Sequence, residues 1–423
     1  MRIAVWHNLP SGGGKRALHD HVRGLVDRGH TLESWCPSSA DQAFLPLREL
    51  ITEHVVPFSW EPMKARNSLN RGISLYRDVV NHLAAIDRHC QQCAVEINRG
   101  GFDLLLAHAC MFFHAPFIGR YVKAPKVLYL QEPYRWLYEA APTLPWAALP
   151  KSQSSRWSPG YLRDSLRDML KVQGLRVQAR EESINARTFD VILVNSFFSR
   201  ESILRAYGVD AKVCYLGIDT EKFVYRNQPR EEFVIGLGAI MPRKNIKLVI
   251  EALSRVGEPR PPLVWVGDAA NADYLENLRR LAHSFGVLFE PRISVDDKEL
   301  VDLLNRALVM VYAPRLEPFG FAPLEANACG LPVIAVAEGG VRETVTDKVN
   351  GIVVEHDPQA IASAVEFLLN DREYACNLGQ QGRCLVEEQW SLEAAVDRLE
   401  DRLAQAACRK VSTDGFHRLH RPN

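Results

Sequence analysis

Residues 317–343 read EPFGFAPLEANACGLPVIAVAEGGVRE. An apolar run, 309–312, leads into this stretch and a second, 333–336, lies inside it, so it reads as strand end, glycine loop, short helix, strand and a second glycine turn opening a helix. Gly320 lets the backbone approach a ligand closely. The helix starting near Phe321 aims free N–H groups and its positive dipole end at that loop, and these are the donors a diphosphate needs. Glu317 falls on the loop and Glu325 inside the helix, so the two need not share a face. A carboxylate on a helix beside a phosphate site is placed to accept hydrogen bonds from ribose hydroxyls, which puts the loop carboxylate nearer the sugar. Two such glutamates alone would read as solvated side chains. The full string, closing on Gly339, Gly340 and Glu343, is what makes the signal specific.

Working outward, short apolar runs alternate with longer amphipathic stretches, the pattern of a parallel sheet covered by helices on both faces. One series has strands at 2–6, 31–35, 104–107, 127–130 and 191–194. The other has strands at 233–237, 263–266, 309–312 and 333–336, with helices from Ile246, Ala272, Lys298 and Phe321. The polar stretch 226–232 reads as the linker between them. A chain of 423 residues is too long for one core, which stops growing near ~250–300 residues. Residues 136–174, with Trp136, Trp146 and Trp157, fall outside the alternation and read as an insertion whose tryptophans pack into the fold; contact with a membrane surface is the alternative. The tail after Cys408 is basic and polar, and is expected to fray.

Composition narrows the function. Lys plus Arg equals Asp plus Glu at 51 each, so no global field draws the chain to nucleic acid or anionic lipid. The nine cysteines are scattered and the chain opens on a strand-like run in place of an apolar signal core, which fits a cytoplasmic setting. No apolar run reaches the ~18 residues that span a bilayer. Cys90 and Cys93 form a C-x-x-C pair with no second pair at zinc-site spacing, so no metal site is expected.

The stretch from Glu317 resembles the donor-binding signature of the family-4 retaining glycosyltransferases, and the likeness extends over nearly the whole chain. The resemblance implies the GT-B fold, two facing Rossmann-like α/β domains with the reaction in the cleft between them: an acceptor domain at 1–224, a nucleotide-sugar domain at 225–390, and a helix at 391–408 returning to the first domain, followed by a flexible tail, 409–423. It implies transfer of a hexose, mannose or glucose, from a nucleotide diphosphate-sugar to a hydroxyl of a sugar, lipid-linked or small-molecule acceptor. Retention of anomeric configuration, no metal ion and no cofactor beyond the co-substrate are implied as well. Glu317 would contact the transferred sugar near its anomeric centre and Glu325 the ribose, while backbone N–H groups of Phe319, Gly320, Phe321 and Ala322 would meet the diphosphate or sugar. A GT-B epimerase or phosphorylase, and a nucleotide-sugar binding protein without turnover, are the rival readings.

Supporting segments follow the same resemblance. After the strand 233–237 comes GAIMPRKN, matching a loop whose two cations neutralise the departing diphosphate; Lys244 matches one. The arginine usual after the glycine is replaced by Ala239, and Arg243 is the candidate substitute. Preorganised cations lower the barrier to breaking a glycosyl–phosphate bond because negative charge grows on the leaving oxygen. Near the N-terminus SGGGKRAL, with Gly13 and Gly14, resembles the family's glycine loop over the donor phosphates, although it fits neither common nucleotide signature. His108, after the strand 104–107, matches a histidine facing sugar and acceptor, with His114 as its rival. Gly267 and Asp268 resemble the glycine turn at the nucleotide.

Overall fold

The computed structural model describes residues 1–60, 68–140, 144–147, 159–267 and 271–408. Trp157, Asp268 and the tail 409–423 lie outside the described residues. The chain forms two compact units. The first comprises Met1–Asn195, Ser199–Cys214 and the chain from Arg398, and the second Ser196–Phe198 and Tyr215–Asp397.

The first unit is built on β1 (Arg2–Asn8), α1 (Gly13–Asp27), β2 (Thr31–Pro37), β3 (Thr52–Val56), α2 (Ser68–Arg99), β4 (Leu104–Cys110), β5 (Lys126–Tyr129), α3 (Arg135–Tyr138), α4 (Pro159–Ala186), β6 (Val191–Val194), α5 (Phe197–Tyr207) and β7 (Lys212–Val213). Its sheet has seven strands in the order β3-β2-β1-β4-β5-β6-β7. Neighbours pair in parallel, so helices must cover both faces; the central runs Ile3–Trp6 and Leu104–Ala107 are accordingly buried throughout. Helix α1 shows how the local sequence acts: Ala17, Leu18, His21, Val22 and Leu25 recur at helical spacing and form its buried face. Gly29, at φ 81°, ends it in the left-handed region.

The second unit contains β8 (Val234–Leu237), α6 (Ile246–Leu253), β9 (Leu263–Gly267), α7 (Ala272–Ser284), β10 (Phe289–Ile293), α8 (Asp297–Arg306), β11 (Val309–Tyr312), α9 (Phe321–Ala328), β12 (Val333–Val336), α10 (Val341–Thr344), β13 (Gly351–Val354), α11 (Pro358–Asn370) and α12 (Arg372–Gln389); α13 (Leu392–Cys408) follows. Its six strands run β10-β9-β8-β11-β12-β13, again all parallel. Caps set several helix starts: Asn271, Asp296, Asp357 and Asp371 each accept a backbone N–H of the first turn.

Two local expectations are corrected. Trp136 and Trp146 are not absorbed into a core, being 56% and 42% exposed. The long helix α4 belongs to the same insertion; around Gly174, where an added Cβ would stand 3.4 Å from Val79, it packs closely on α2, while its first turns leave Leu162, Leu166 and Met169 exposed. The stretch 226–232 is also more than a spacer, because the Arg230 guanidinium donates to the carbonyls of Leu304, Asn305, Ala307, Cys329 and Gly330. No described helix is long and apolar enough to cross a membrane.

Candidate functional site

Within the second unit, the loops leaving β8 and β11 carry the sequence-predicted residues to the same place. β11 ends at Tyr312, the chain crosses Glu317 and Gly320, and α9 begins at Phe321. Gly320 sits at φ 98° as the N-terminal boundary of α9, and no side chain caps the helix, the setting in which a helix start can receive an anion. Leu316 holds φ 48° immediately before Glu317, a conformation that a branched side chain adopts only under constraint from its surroundings; its N–H donates to Glu338.

The two halves of the 317–343 string touch. The N–H of Gly340 donates to the Glu317 carbonyl at 2.7 Å. A Cβ at Gly339 would stand 2.4 Å from that carbonyl oxygen, and one at Gly340 2.1 Å from that of Pro318. Both glycines are therefore required by backbone packed against backbone. Tyr215 donates to Glu343 at 2.9 Å.

Lys244 and Glu317 form an ion pair at 2.9 Å. The lysine is aimed by its own loop. Trp265 Nε1 donates to the Gly238 carbonyl at 2.7 Å, the Lys244 stem lies against Gly238, where a Cβ would be 3.0 Å from Lys244 Cε, and Gly267 must lack a side chain because one would stand 2.7 Å from the Gly238 oxygen. The Arg315 N–H donates to the Arg243 carbonyl, tying the two loops together. Arg243 itself is exposed.

Sequence reasoning missed Tyr312. Its buried hydroxyl hydrogen-bonds Glu317, and burial first, then the Glu317 and Glu325 carboxylates, push its pKa well above the usual phenol value. The phenol thus stays a donor, and Glu317 is held by Tyr312 and Lys244. The signal available was a tyrosine closing an otherwise aliphatic strand. Glu325 lies in α9 and is 3% exposed. Phe319 is buried and meets Phe321 edge-on at 5.3 Å. Beneath α9, Asn327 and Asn350 bond each other and the carbonyls of Leu331, Thr344 and Asn350, which fixes the helix without any apolar signature.

Gly13, Gly14 and His108 belong to the first unit. Gly13 and Gly14 open α1, after Gly12 at φ 125°. His108 lies inside β4, which continues to Cys110, so it is 1% exposed. It stacks on Tyr129 at 5.5 Å, and burial, helped by His21, His7 and Lys15, holds it neutral. The rival His114 faces the Glu132 carbonyl at 3.0 Å.

An uncapped helix start and a paired lysine and glutamate thus meet at one end of a doubly wound parallel sheet. Residues 217–384 match the family model described as glycosyl transferases group 1. The chain is 32% identical over 237 residues to a GDP-mannose-dependent alpha-(1-6)-phosphatidylinositol monomannoside mannosyltransferase of Mycobacterium tuberculosis, a match covering 50% of this chain and 61% of that protein. It is 26% identical over 237 residues to human alpha-1,3/1,6-mannosyltransferase ALG2, covering 50% of this chain and 57% of that one. Among solved structures, Anabaena HepE in complex with UDP-glucose superposes with a TM-score of 0.68 at 19% identity, covering 96% of this chain and all of that one. Sucrose-phosphate synthase from Thermosynechococcus elongatus gives 0.69 at 18%, covering 96% and 99%. The fold is GT-B.

Proposed function

We propose that the chain is a retaining hexosyltransferase, taking a sugar from a nucleotide diphosphate-sugar and passing it to a hydroxyl of a glycan, glycolipid or small-molecule acceptor, with no divalent ion on the diphosphate. The observation that carries this reading is the Lys244–Glu317 pair at 2.9 Å beside the uncapped start of α9. In this reading the first N–H groups of α9 and Lys244 receive the diphosphate, Arg243 supplies the cation absent at Ala239, Glu325 accepts from the ribose and Glu317 contacts the sugar. As the C1–oxygen bond to the diphosphate breaks, Lys244 stabilises the charge on the leaving oxygen. That oxygen takes the acceptor's hydroxyl proton while the acceptor oxygen bonds C1 on the same face, which retains configuration. The resemblance alone assigns Gly13, Gly14, Gly267 and His108 to the same reaction.

The mycobacterial relative favours GDP-mannose as first donor and a lipid-linked acceptor, the human one again a mannosyl transfer, and the HepE complex makes UDP-glucose the second donor to try. A thermal-shift screen of nucleotide sugars followed by incubation with a mannosylated phosphatidylinositol is the test, because a ligand bound only by the folded state raises Tm. Nucleoside diphosphate released only with acceptor, an α-linked product, and rates indifferent to added Mg2+ or Mn2+ are expected. An inverted product or an epimerised donor refutes the proposal.

A peripheral contact with the cytoplasmic face of a membrane completes this reading. It is supported by the exposed Trp136 and Trp146 and by the exposed Leu162, Leu166 and Met169 of α4, interleaved with Arg163, Arg167 and Lys171; nine free cysteines accord with a reducing compartment. Flotation with anionic vesicles should carry the protein upward and lose it when Leu162, Leu166 and Met169 become serine. Equal flotation of the wild type and the triple-serine variant counts against α4.

A further inference from the structure

We propose that His7, Cys36 and Glu53 form a binding site for one zinc-like divalent ion near the edge of the first unit's sheet. They come from β1, β2 and β3, which lie side by side in parallel register. One ligand atom of each stands within 4.8 Å of the other two, and among the described residues no other group of three His, Cys, Asp or Glu side chains does so. Imidazole, thiolate and carboxylate are the ligands that zinc and cobalt(II) take. Tetrahedral bonds of ~2.0 Å to nitrogen or oxygen and ~2.3 Å to sulfur separate neighbouring ligand atoms by ~3.3–3.6 Å. His7 Nε2 and Glu53 Oε1 are 3.4 Å apart, and Cys36 Sγ and the same oxygen 3.8 Å, so an ion needs only small side-chain adjustments.

The surroundings suit an ion in two further ways. Gln42 Nε2 donates to Cys36 Sγ at 3.3 Å, an outer contact that stabilises a coordinating thiolate. The His7 and Glu53 side chains are 0% and 2% exposed, so an ion there is shielded from bulk solvent and held more strongly by its ligands.

The second observation is Lys15. Its side chain is fully buried and its Nζ meets no hydrogen-bond partner among the described residues, yet it feels the charges of Glu53, Cys36 and Asp41. Its ammonium is the cation that offsets Glu53, a role the ion takes over when bound. On binding, the Cys36 S–H bond breaks, its proton leaves to solvent and a sulfur–metal bond forms. An ammonium beside a dication is unfavourable, so Lys15 limits the affinity. The ion would pin the edge strand β3 to β1 and β2, and the site is independent of the glycosyl-transfer reading.

The test is a Co2+ titration of the chelator-treated full chain in a thiol-free reductant. One equivalent should give tetrahedral cobalt bands in the visible and a sulfur-to-cobalt band in the near ultraviolet, both displaced by Zn2+. Cys36→Ser should abolish the near-ultraviolet band, Glu53→Gln should keep that band while weakening binding at least about tenfold, and Lys15→Met should tighten it about tenfold. Zn2+ should also raise the first transition of a melting curve in the wild type and not in Cys36→Ser. No saturable cobalt spectrum below about 1 mM, or an unchanged near-ultraviolet band in Cys36→Ser, overturns the site.

Discussion

Replacing Lys244 with methionine keeps the stem that lies against Gly238 and removes only the ammonium, 2.9 Å from Glu317. With that ammonium ~3 Å from the leaving oxygen and an effective dielectric constant of ~20, a full unit of charge is stabilised by ~5.5 kcal/mol. The bound diphosphate is already anionic, so only the charge added on bond breaking counts toward the rate. Taking that as about half a unit gives ~3 kcal/mol, a fall in kcat of roughly 10²-fold. Because the two side chains are only 15% and 18% exposed, removing the ammonium also leaves a largely buried Glu317 carboxylate with less compensation and should lower Tm. Initial rates of GDP release from GDP-mannose with a mannosylated lipid acceptor give kcat and KM, and a melting curve on the same preparation checks the fold. A kcat within about threefold of wild type, measured well below the variant's melting transition, would refute the leaving-group role.

Gly340→Ala should destabilise the second unit by about 3 kcal/mol or more, because the new methyl would stand 2.1 Å from the Pro318 carbonyl oxygen, whereas Gly257→Ala, whose nearest atom is a Glu366 oxygen at 3.8 Å, should be harmless; equal melting curves would contradict this. Tyr312→Phe removes one of the donors that hold Glu317 and should lower kcat about tenfold with KM little changed, and a loss confined to KM would point to donor binding instead. His21 and His89 are buried and their pKa values are lowered from 6.5 to about 4 by burial. Folding therefore favours the neutral rings, and this stability is complete above about pH 6.5 and lost as pH falls toward 4, by at most roughly 3 kcal/mol each. The first unit's melting temperature should fall through that window, less steeply in His21→Phe; a pH-independent transition between 7 and 5 would remove these histidines from the account.

The central strands were legible because they are short apolar runs buried on both faces: 191–194, 309–312 and 333–336 coincide with β6, β11 and β12. The four strands left unread, β3, β7, β10 and β13, are the four edges of the two sheets. Edge strands are only partly covered, so their sequences, such as Thr-Glu-His-Val-Val and Phe-Glu-Pro-Arg-Ile, carry charges and mixed exposure. His108 was placed just beyond a strand; the strand runs on to Cys110, and the ring is buried against Tyr129. The tryptophans of the insertion were expected to pack into the fold, with a membrane surface as the alternative, and Trp136 and Trp146 remain exposed among the described residues.

By itself the sequence determined the class: alternating apolar runs specify doubly wound sheets, and the 317–343 string specifies a glycine-led helix start flanked by two carboxylates, since both depend on local spacing and backbone freedom. Tertiary structure decided which side chains from distant segments meet. It brought Lys244 to Glu317 across 73 positions, set Tyr312 behind the same carboxylate, pressed Gly340 onto Pro318, and gathered His7, Cys36 and Glu53 from three strands. Such meetings depend on strand order and on which atoms are shut away from water, and no local pattern of residues encodes either.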